Sequence, residues 1–137
     1  MKKTSLLNAP LSQIIARMGH GDHLVIADSG LPIPYGKTLV DLAVTPQLPR
    51  LPDVLKVILT ELKVETVMVT QEMEKKSPQY YSDLLKILKK NLPGVPVKKI
   101  THARLKEITQ ETHNIAFVRT GEATPFANLI LIAGVVF

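Results

Sequence analysis

The chain contains no cysteine and no tryptophan, and aromatic residues make up only 4% of its 137 positions. The absence of cysteine excludes disulfides, thiolate nucleophiles and zinc or iron–sulfur sites built on cysteine. It also agrees with a cytoplasmic location, because proteins of that compartment do not rely on disulfides. Any chemistry must therefore come from His, Asp, Glu, Lys or Tyr side chains.

Long apolar runs are missing as well. The longest, residues 129–137, contains a glycine and is far shorter than the roughly 18 residues that a membrane-spanning helix needs. It predicts a buried strand instead. Lys2 and Lys3 are not followed by the apolar region and cleavage site of a signal peptide. We therefore expect no membrane partner.

Signatures of nucleotide and nucleic-acid binding are also absent. The sequence has neither a glycine-rich phosphate loop nor the Gly-x-Ser-x-Gly motif of serine hydrolases. The formal charge is +5, but the 17 basic residues are spread along the chain, and few aromatics are available to stack on bases. We expect a generally basic surface, with no nucleotide cofactor and no nucleic-acid partner.

The residues that are present predict one folded domain over 1–137. Hydrophobic residues make up 45% and charged residues 21%, which is typical of a folded protein, and no linker or repeat divides the chain. Apolar spacing and turn residues predict helices between Asn8 and Gly19 and over 52–63, 77–93 and 103–111, and strands over 24–27, 38–44, 64–70, 97–101, 115–120 and 129–137.

This alternation predicts a three-layer α/β/α fold with a mostly parallel mixed sheet. The last two strands are joined by residues 121–128, which are too few for a parallel crossover of a dozen or more residues. We therefore expect those two strands to be antiparallel.

Polar residues are expected to converge at one edge of that sheet. Asp28 and His102 follow strands that should run parallel, and Asn128 precedes the reversed last strand. Glu72, at the end of another strand, can face the same edge. Because open α/β sheets bind ligands at the carboxyl ends of their strands, this edge is the predicted site.

His20 is the candidate for proton transfer. It lies on a short segment between a glycine-terminated helix and a buried strand, and an imidazole is the group best suited to exchange a proton near neutral pH. Position alone favours a simpler role, in which a histidine near a helix C-terminus interacts with the helix dipole. A third alternative is metal binding by His20, Asp22 and His23, but that glycine-rich stretch predicts no regular element to hold ligands.

The two candidate ligand residues at the carboxyl edge also have simpler explanations. Asp28 precedes Ser29 and Gly30, so its carboxylate can accept sugar hydroxyls or can merely cap the turn through its own backbone. His102 begins a helix, where it can act as a neutral donor and acceptor or can simply be exposed to solvent. His113 is interpreted as a surface residue.

Three stretches of the sequence resemble the D-ribose pyranase family. They are GHGDHLVIADSGLPIP at 19–34, RTGE at 119–122 and TPFAN at 124–128, together with Thr101-His102 before a helix. Their order and spacing resemble that family over essentially the whole chain. The family's usual tyrosine is replaced by Phe126, so any role of a phenol hydroxyl at this position is absent.

The resemblance implies a cytoplasmic, cofactor-free and metal-free isomerase that interconverts the pyranose and furanose forms of ribose, linked to ribose import and phosphorylation. It implies that His20 is the proton donor, that Asp28 and His102 bind the sugar, and that Phe126, Ala127 and Asn128 close the pocket. It further implies ring-like homo-oligomers, described as decamers, with sites near subunit boundaries.

Two other functions share this pattern of residues. One is a mutarotase that exchanges the anomers of fucose or a related sugar by the same acid–base logic. The other is a regulatory subunit that binds sugar without catalysis. Ring-exchange measurements on several sugars distinguish the three functions.

Overall fold

Helices and strands alternate along the chain in the computed structural model, which describes residues 1–137. The helices are α1 (Ala9–Arg17), α2 (Leu51–Ile58), α3 (Gln71–Lys76), α4 (Pro78–Asn91) and α5 (His102–Glu111). The strands are β1 (His23–Ala27), β2 (Thr38–Asp41), β3 (Val64–Thr70), β4 (Val97–Ile100), β5 (Ile115–Arg119) and β6 (Leu129–Ala133). None of the helices is long and apolar enough to span a bilayer.

All six strands form one sheet in the order β2-β5-β1-β6-β3-β4. Strand β6 is antiparallel to both of its neighbours, β1 and β3, whereas every other pair is parallel. The predicted mostly parallel mixed sheet is therefore confirmed. Strands β5 and β6 run in opposite directions as predicted, but β1 lies between them, so they do not form a hairpin.

Helices cover both faces of the sheet. In β1, Leu24 and Ile26 belong to the larger apolar cluster and Val25 and Ala27 to the smaller one, and all four are fully buried. A strand buried on both faces needs a continuous apolar run, which explains the sequence of β1. Helices α1, α2, α3 and α4 contribute to the larger cluster and α5 to the smaller one, which gives the predicted three layers.

Two helix starts have side-chain caps. Asn8 Oδ1 accepts a hydrogen bond from the N–H of Leu11 at 2.9 Å, and Thr101 Oγ1 accepts one from the N–H of Arg104 at 3.0 Å. Each cap satisfies a backbone donor that the first helical turn leaves free. The second cap fixes where α5 begins and therefore where His102 lies.

Several predicted boundaries are wrong. The strand predicted over 38–44 ends at Asp41, and the helix predicted over 52–63 ends at Ile58. The short helix α3 was not predicted, because its sequence is polar and only Met73 is buried. Without a repeating apolar face, such a helix leaves no periodic signal.

The last strand is also shorter than predicted. It ends at Ala133, which pairs with Val64, the first residue of β3. The N–H of Gly134 still donates to the carbonyl of Lys63, but no strand residue lies beyond to continue the ladder. Residues 134–137 therefore leave the sheet, and Val136 and Phe137 are exposed rather than buried.

Candidate active site

The carboxyl edge of the sheet brings Asp28 and Asn128 into direct contact. The Asn128 side chain accepts the N–H of Asp28 through Oδ1 and donates to Asp28 Oδ2 through Nδ2, both at 2.9 Å. His102, at the start of α5, lines the same cavity as Asp28. The structure thus brings together the three residues that the strand directions placed at this edge.

A cavity of about 320 Å³ opens between these residues. It is lined by the Asp28 turn (residues 28–32), by His102, and by Glu122 together with the Phe126 segment (residues 123–126). The volume lies within the range of roughly 300–1,000 Å³ that is typical of small-molecule sites. The cavity therefore has room for a monosaccharide.

Asp28 caps its own turn and still faces the cavity. Its Oδ1 accepts the N–H of Gly30 at 3.0 Å, as the simpler explanation predicted. A carboxylate has about four lone-pair sites, so acceptor capacity remains for ligand hydroxyls. Burial raises the pKa of Asp28 above its ordinary value, and the hydrogen bonds from Gly30 and Asn128 oppose that shift only partly. Asp28 is therefore a better proton acceptor than an exposed aspartate.

His102 is held from two sides. Its backbone N–H donates to Glu72 Oε2 at 2.9 Å, so Glu72 lies at this edge as expected. Its ring meets the ring of Phe126 edge to face, with centroids 5.2 Å apart and an interplanar angle of 76°. The buried Nδ1 of His102 has no hydrogen-bond partner within the chain. The imidazole is therefore fixed in place by packing rather than exposed on the helix surface.

The backbone at Phe126 has a left-handed conformation with φ of 62°. This region is unfavourable for a residue with a Cβ and costs on the order of 1–3 kcal/mol. Two donors hold the Phe126 carbonyl: the Thr70 hydroxyl at 2.7 Å and the N–H of Asn128 at 2.8 Å. Thr70 is fully buried at the end of β3, so the sheet itself supports the conformation that turns Phe126 towards His102.

The other two residues of the predicted 126–128 closure do not line the cavity. Ala127 is fully buried in the larger apolar cluster, and Asn128 is fully buried against Asp28. Phe126 is the member of the three whose side chain lines the cavity. Within one chain, Ala127 anchors this segment in the larger apolar cluster and Asn128 holds the Asp28 carboxylate.

Glu122 is a second acidic residue of the cavity, and it is completely buried. Its Oε1 accepts the hydroxyl and the N–H of Thr124 at 2.8 and 3.1 Å, and its Oε2 accepts Tyr80 Oη–H at 3.0 Å and the N–H of Leu51 at 3.3 Å. Burial alone would raise the pKa of Glu122, but these donors outweigh burial and bring its pKa below the ordinary value. With both oxygens doubly occupied, Glu122 has little capacity left for a ligand.

His20 lies at the opposite edge of the sheet. It precedes β1, whereas Asp28 follows it, and the five residues of β1 separate the two ends by roughly 16 Å. The His20 side chain is 61% exposed, and its Nε2 lies 2.8 Å from Glu65 Oε2 at the start of β3. Within one chain, His20 therefore does not reach the cavity.

The turn that carries His20 is tied to the end of β6. Gly21 has φ of 82°, a conformation that favours glycine, and its N–H donates to the carbonyl of Ala133 at 2.8 Å. The neighbouring polar side chains have separate partners, since Asp22 Oδ2 accepts the N–H of Gly19 and His23 Nδ1 donates to the carbonyl of Gly21. These side chains do not converge on a metal-binding position.

Sequence reasoning missed Glu65, Thr70 and Glu122. Each acts through a partner more than 40 positions away in the chain, as with Glu65 and His20 or Glu122 and Tyr80. Local patterns carry no signal for such contacts. Residues 121–128 were predicted only as a short connection between two strands, and nothing in that stretch indicates that the carboxylate of Glu122 is buried.

Comparison with known proteins places these features in a family. A sequence model of the RbsD / FucU transport protein family matches residues 1–136. A protein of Coprothermobacter proteolyticus named D-ribose pyranase is 53% identical over 137 residues, which is the full length of both chains.

Two solved structures share the fold. The Bacillus subtilis RbsD structure complexed with D-ribose matches with a TM-score of 0.88 and 38% identity, covering 100% of each chain. The fucose mutarotase of Streptococcus pneumoniae in complex with L-fucose matches with a TM-score of 0.84 and 21% identity, again over 100% of each chain. At that identity the second structure supports the fold alone.

Proposed function

Because the chain belongs to the RbsD / FucU transport protein family, we propose that it is a D-ribose pyranase that interconverts the pyranose and furanose forms of ribose. The observation that carries this proposal is the cavity, in which a carboxylate with spare acceptor capacity faces a packed imidazole and an aromatic ring. The 53% identity over its full length to a D-ribose pyranase favours ribose over fucose.

The cavity has the groups that a pentose needs. Asp28 accepts hydrogen bonds from two sugar hydroxyls, and His102 contributes a ring nitrogen that can exchange its role as donor or acceptor. Phe126 offers an apolar surface to the C–H groups of the sugar ring. Asn128 holds Asp28 in the orientation that leaves its remaining lone pairs directed to the sugar. Ala127 fixes the backbone between Phe126 and Asn128.

The acid comes from a second copy of the chain. His20 lies roughly 16 Å from the Asp28 edge, at the far end of the five-residue β1, so it can serve only a neighbour's cavity. It is exposed, and beyond Ala133, whose carbonyl binds the turn of His20, Val136 and Phe137 are 86% and 101% exposed. This end of the sheet therefore offers apolar surface to a second copy. The assembly is a homo-oligomer, and the resemblance to ring-like relatives favours a decamer acting in the cytoplasm.

Ring opening then needs two proton transfers. The partner's His20 protonates the ring oxygen while Asp28 takes the proton of the anomeric hydroxyl, and the bond between the ring oxygen and the anomeric carbon breaks to give the open aldehyde. Attack by a different hydroxyl closes the other ring size, and the two protons return. General acid–base catalysis contributes about 10²–10⁴-fold, which suffices without a metal.

Glu65 orients the acid. Its contact with Nε2 holds the imidazole in one position, so Nδ1 is the nitrogen directed towards the sugar. After Nδ1 gives up its proton, Nε2 keeps the other and remains bonded to Glu65. The carboxylate thus holds the ring in one tautomer, in the way that catalytic histidines are usually held.

Saturation-transfer NMR on ribose tests the proposal. The wild-type protein should accelerate exchange between pyranose and furanose signals, and His20→Ala should not. His113→Ala, a change at a loop histidine away from the cavity, serves as the matched control and should exchange ribose at the wild-type rate. Faster exchange of fucose anomers than of ribose ring forms would favour the mutarotase, and binding without any exchange would favour a regulatory subunit.

A further inference from the structure

Glu122 joins the two sides of the cavity through separate parts of the same residue. Its backbone carbonyl accepts the N–H of Ser29, in the Asp28 turn, at 2.9 Å. Its carboxylate accepts the N–H and the hydroxyl of Thr124, in the Phe126 segment, at 3.1 and 2.8 Å. A shift of Glu122 therefore changes the separation between the Asp28 turn and the Phe126 segment.

The carboxylate is also anchored to the helices behind the cavity. Its second oxygen, Oε2, accepts Tyr80 Oη–H from α4 and the N–H of Leu51, the first residue of α2. Neither Tyr80 nor Leu51 lines the cavity. Oε1 thus bonds to the Phe126 segment, and Oε2 bonds to the helices behind the cavity.

A buried carboxylate with no role would be costly, because an unpaired charge in the interior carries a large desolvation penalty. For Glu122, the desolvation penalty is offset by hydrogen bonds from four neutral donors, and no salt bridge reaches its carboxylate. A neutral residue would suffice to fill the space between α2 and α4. The charge is needed only to accept four hydrogen bonds at once, two of them from the Phe126 segment.

We propose that Glu122 is a positioning residue for the sugar site: through Oε1 and Thr124 it fixes the Phe126 segment at the distance from the Asp28 turn that fits a sugar. This inference rests on the proposed function for the identity of the sugar, but not for the geometry. Glu122 itself makes no contact with the substrate, because both of its oxygens are already occupied.

Three variants separate positioning from general stability. Glu122→Gln replaces one oxygen with an NH₂ group, which places a donor against a donor on one side of the side chain. Thr124→Val removes one hydrogen bond from the cavity side of the carboxylate. Tyr80→Phe removes one from the core side and serves as the matched control, since it also breaks a buried bond to Glu122.

The measurements are ribose affinity by calorimetry, melting temperature, and hydrogen exchange at the Thr124 amide. Thr124→Val and Glu122→Gln should weaken ribose binding about tenfold, the equivalent of one net hydrogen bond. In Glu122→Gln the Thr124 amide should also exchange faster. Tyr80→Phe should lower the melting temperature but keep both the affinity and the protection of the Thr124 amide.

Two results would overturn the inference. In one, Tyr80→Phe loses affinity as much as Thr124→Val does, so that binding simply follows stability. In the other, Glu122→Gln binds ribose like the wild type and its Thr124 amide stays protected. Failure of the proposed function would give another result. The wild-type protein would bind no ribose, or would not accelerate its ring exchange, while the Thr124 amide would still be less protected in Glu122→Gln than in Tyr80→Phe.

Discussion

Co-expression of His20→Ala and Asp28→Asn chains should restore the ring exchange that neither variant has alone. Each proposed site takes its acid from one copy and its carboxylate from another. In a mixed assembly, a His20→Ala chain can supply an intact Asp28 to a neighbour whose His20 is intact. Such a pairing recreates a wild-type site from two defective chains.

The expected magnitude follows from the geometry of one chain. The five residues of β1 separate the two half-sites by roughly 16 Å, about five times hydrogen-bond distance, so no chain can complete its own site. Random mixing at equal expression then gives a wild-type pairing at about a quarter of the sites. The mixed protein should therefore show about a quarter of the wild-type exchange rate.

The assay uses two different affinity tags, so that only mixed assemblies are purified, followed by saturation-transfer NMR on ribose. The control co-expresses His20→Ala with the double variant His20→Ala/Asp28→Asn, which leaves no intact pairing and should show background exchange. Asp28→Asn keeps the hydrogen bond between its N–H and Asn128 Oδ1, so the fold should persist. If the mixed assembly is as inactive as its parents, sites shared between copies are refuted.

Three further outcomes are expected. Glu65→Gln should lower the ring-exchange rate on the order of tenfold at unchanged KM, because Glu65 contacts His20 and not the cavity. An unchanged rate in saturation-transfer NMR would exclude Glu65 as the group that orients His20. The pKa of Glu122 lies below its ordinary value, so its ionised form stabilises the fold above about pH 4.3 and that contribution is lost as the pH falls through the folded-state pKa. In thermal melts from pH 3 to 7, the gap between wild type and Glu122→Gln should therefore narrow towards acid; a constant gap contradicts this. Thr70→Val should lower the free energy of unfolding, measured in urea, by about 1–3 kcal/mol, because the Phe126 carbonyl loses a donor. A loss under about 0.5 kcal/mol would mean that the N–H of Asn128 alone satisfies this carbonyl.

Strand direction, which the sequence predicts, places the residues of the carboxyl-edge half of the site at one edge of the sheet. Asp28 and His102 lie at the same edge since the strands before them are parallel, and Asn128 joins them because the short connection makes β6 run in the reverse direction. These are arguments from local patterns and chain connectivity. They predict the shared edge, but not how close the residues lie along it, because β6 and β3 separate β1 from β4.

The other half depends on contacts between distant parts of the chain. His20 was assigned to the same site as Asp28, yet one chain holds them at opposite edges, and only an assembly of copies can bring them together. The pairing of Glu65 with His20 depends on β3 lying next to β6 and on the turn of Gly21 binding Ala133. Neither the sheet order nor the packing between copies is encoded in the spacing of apolar residues.

Strand β6 connects the two ends of the sheet, one next to the cavity and the other next to His20. Its first residue, Leu129, follows Asn128 at the edge with the cavity. The carbonyl of its last residue, Ala133, accepts the N–H of Gly21 in the turn that carries His20. In the homo-oligomer proposed above, the length of this strand therefore contributes to the spacing between the Asp28 end and the His20 end of each copy. Inserting a single residue would displace one end by about 3.3 Å and reverse which side chains face each apolar cluster. In the proposed assembly, the number of residues in β6 therefore affects how copies meet, although none of its side chains lines the cavity.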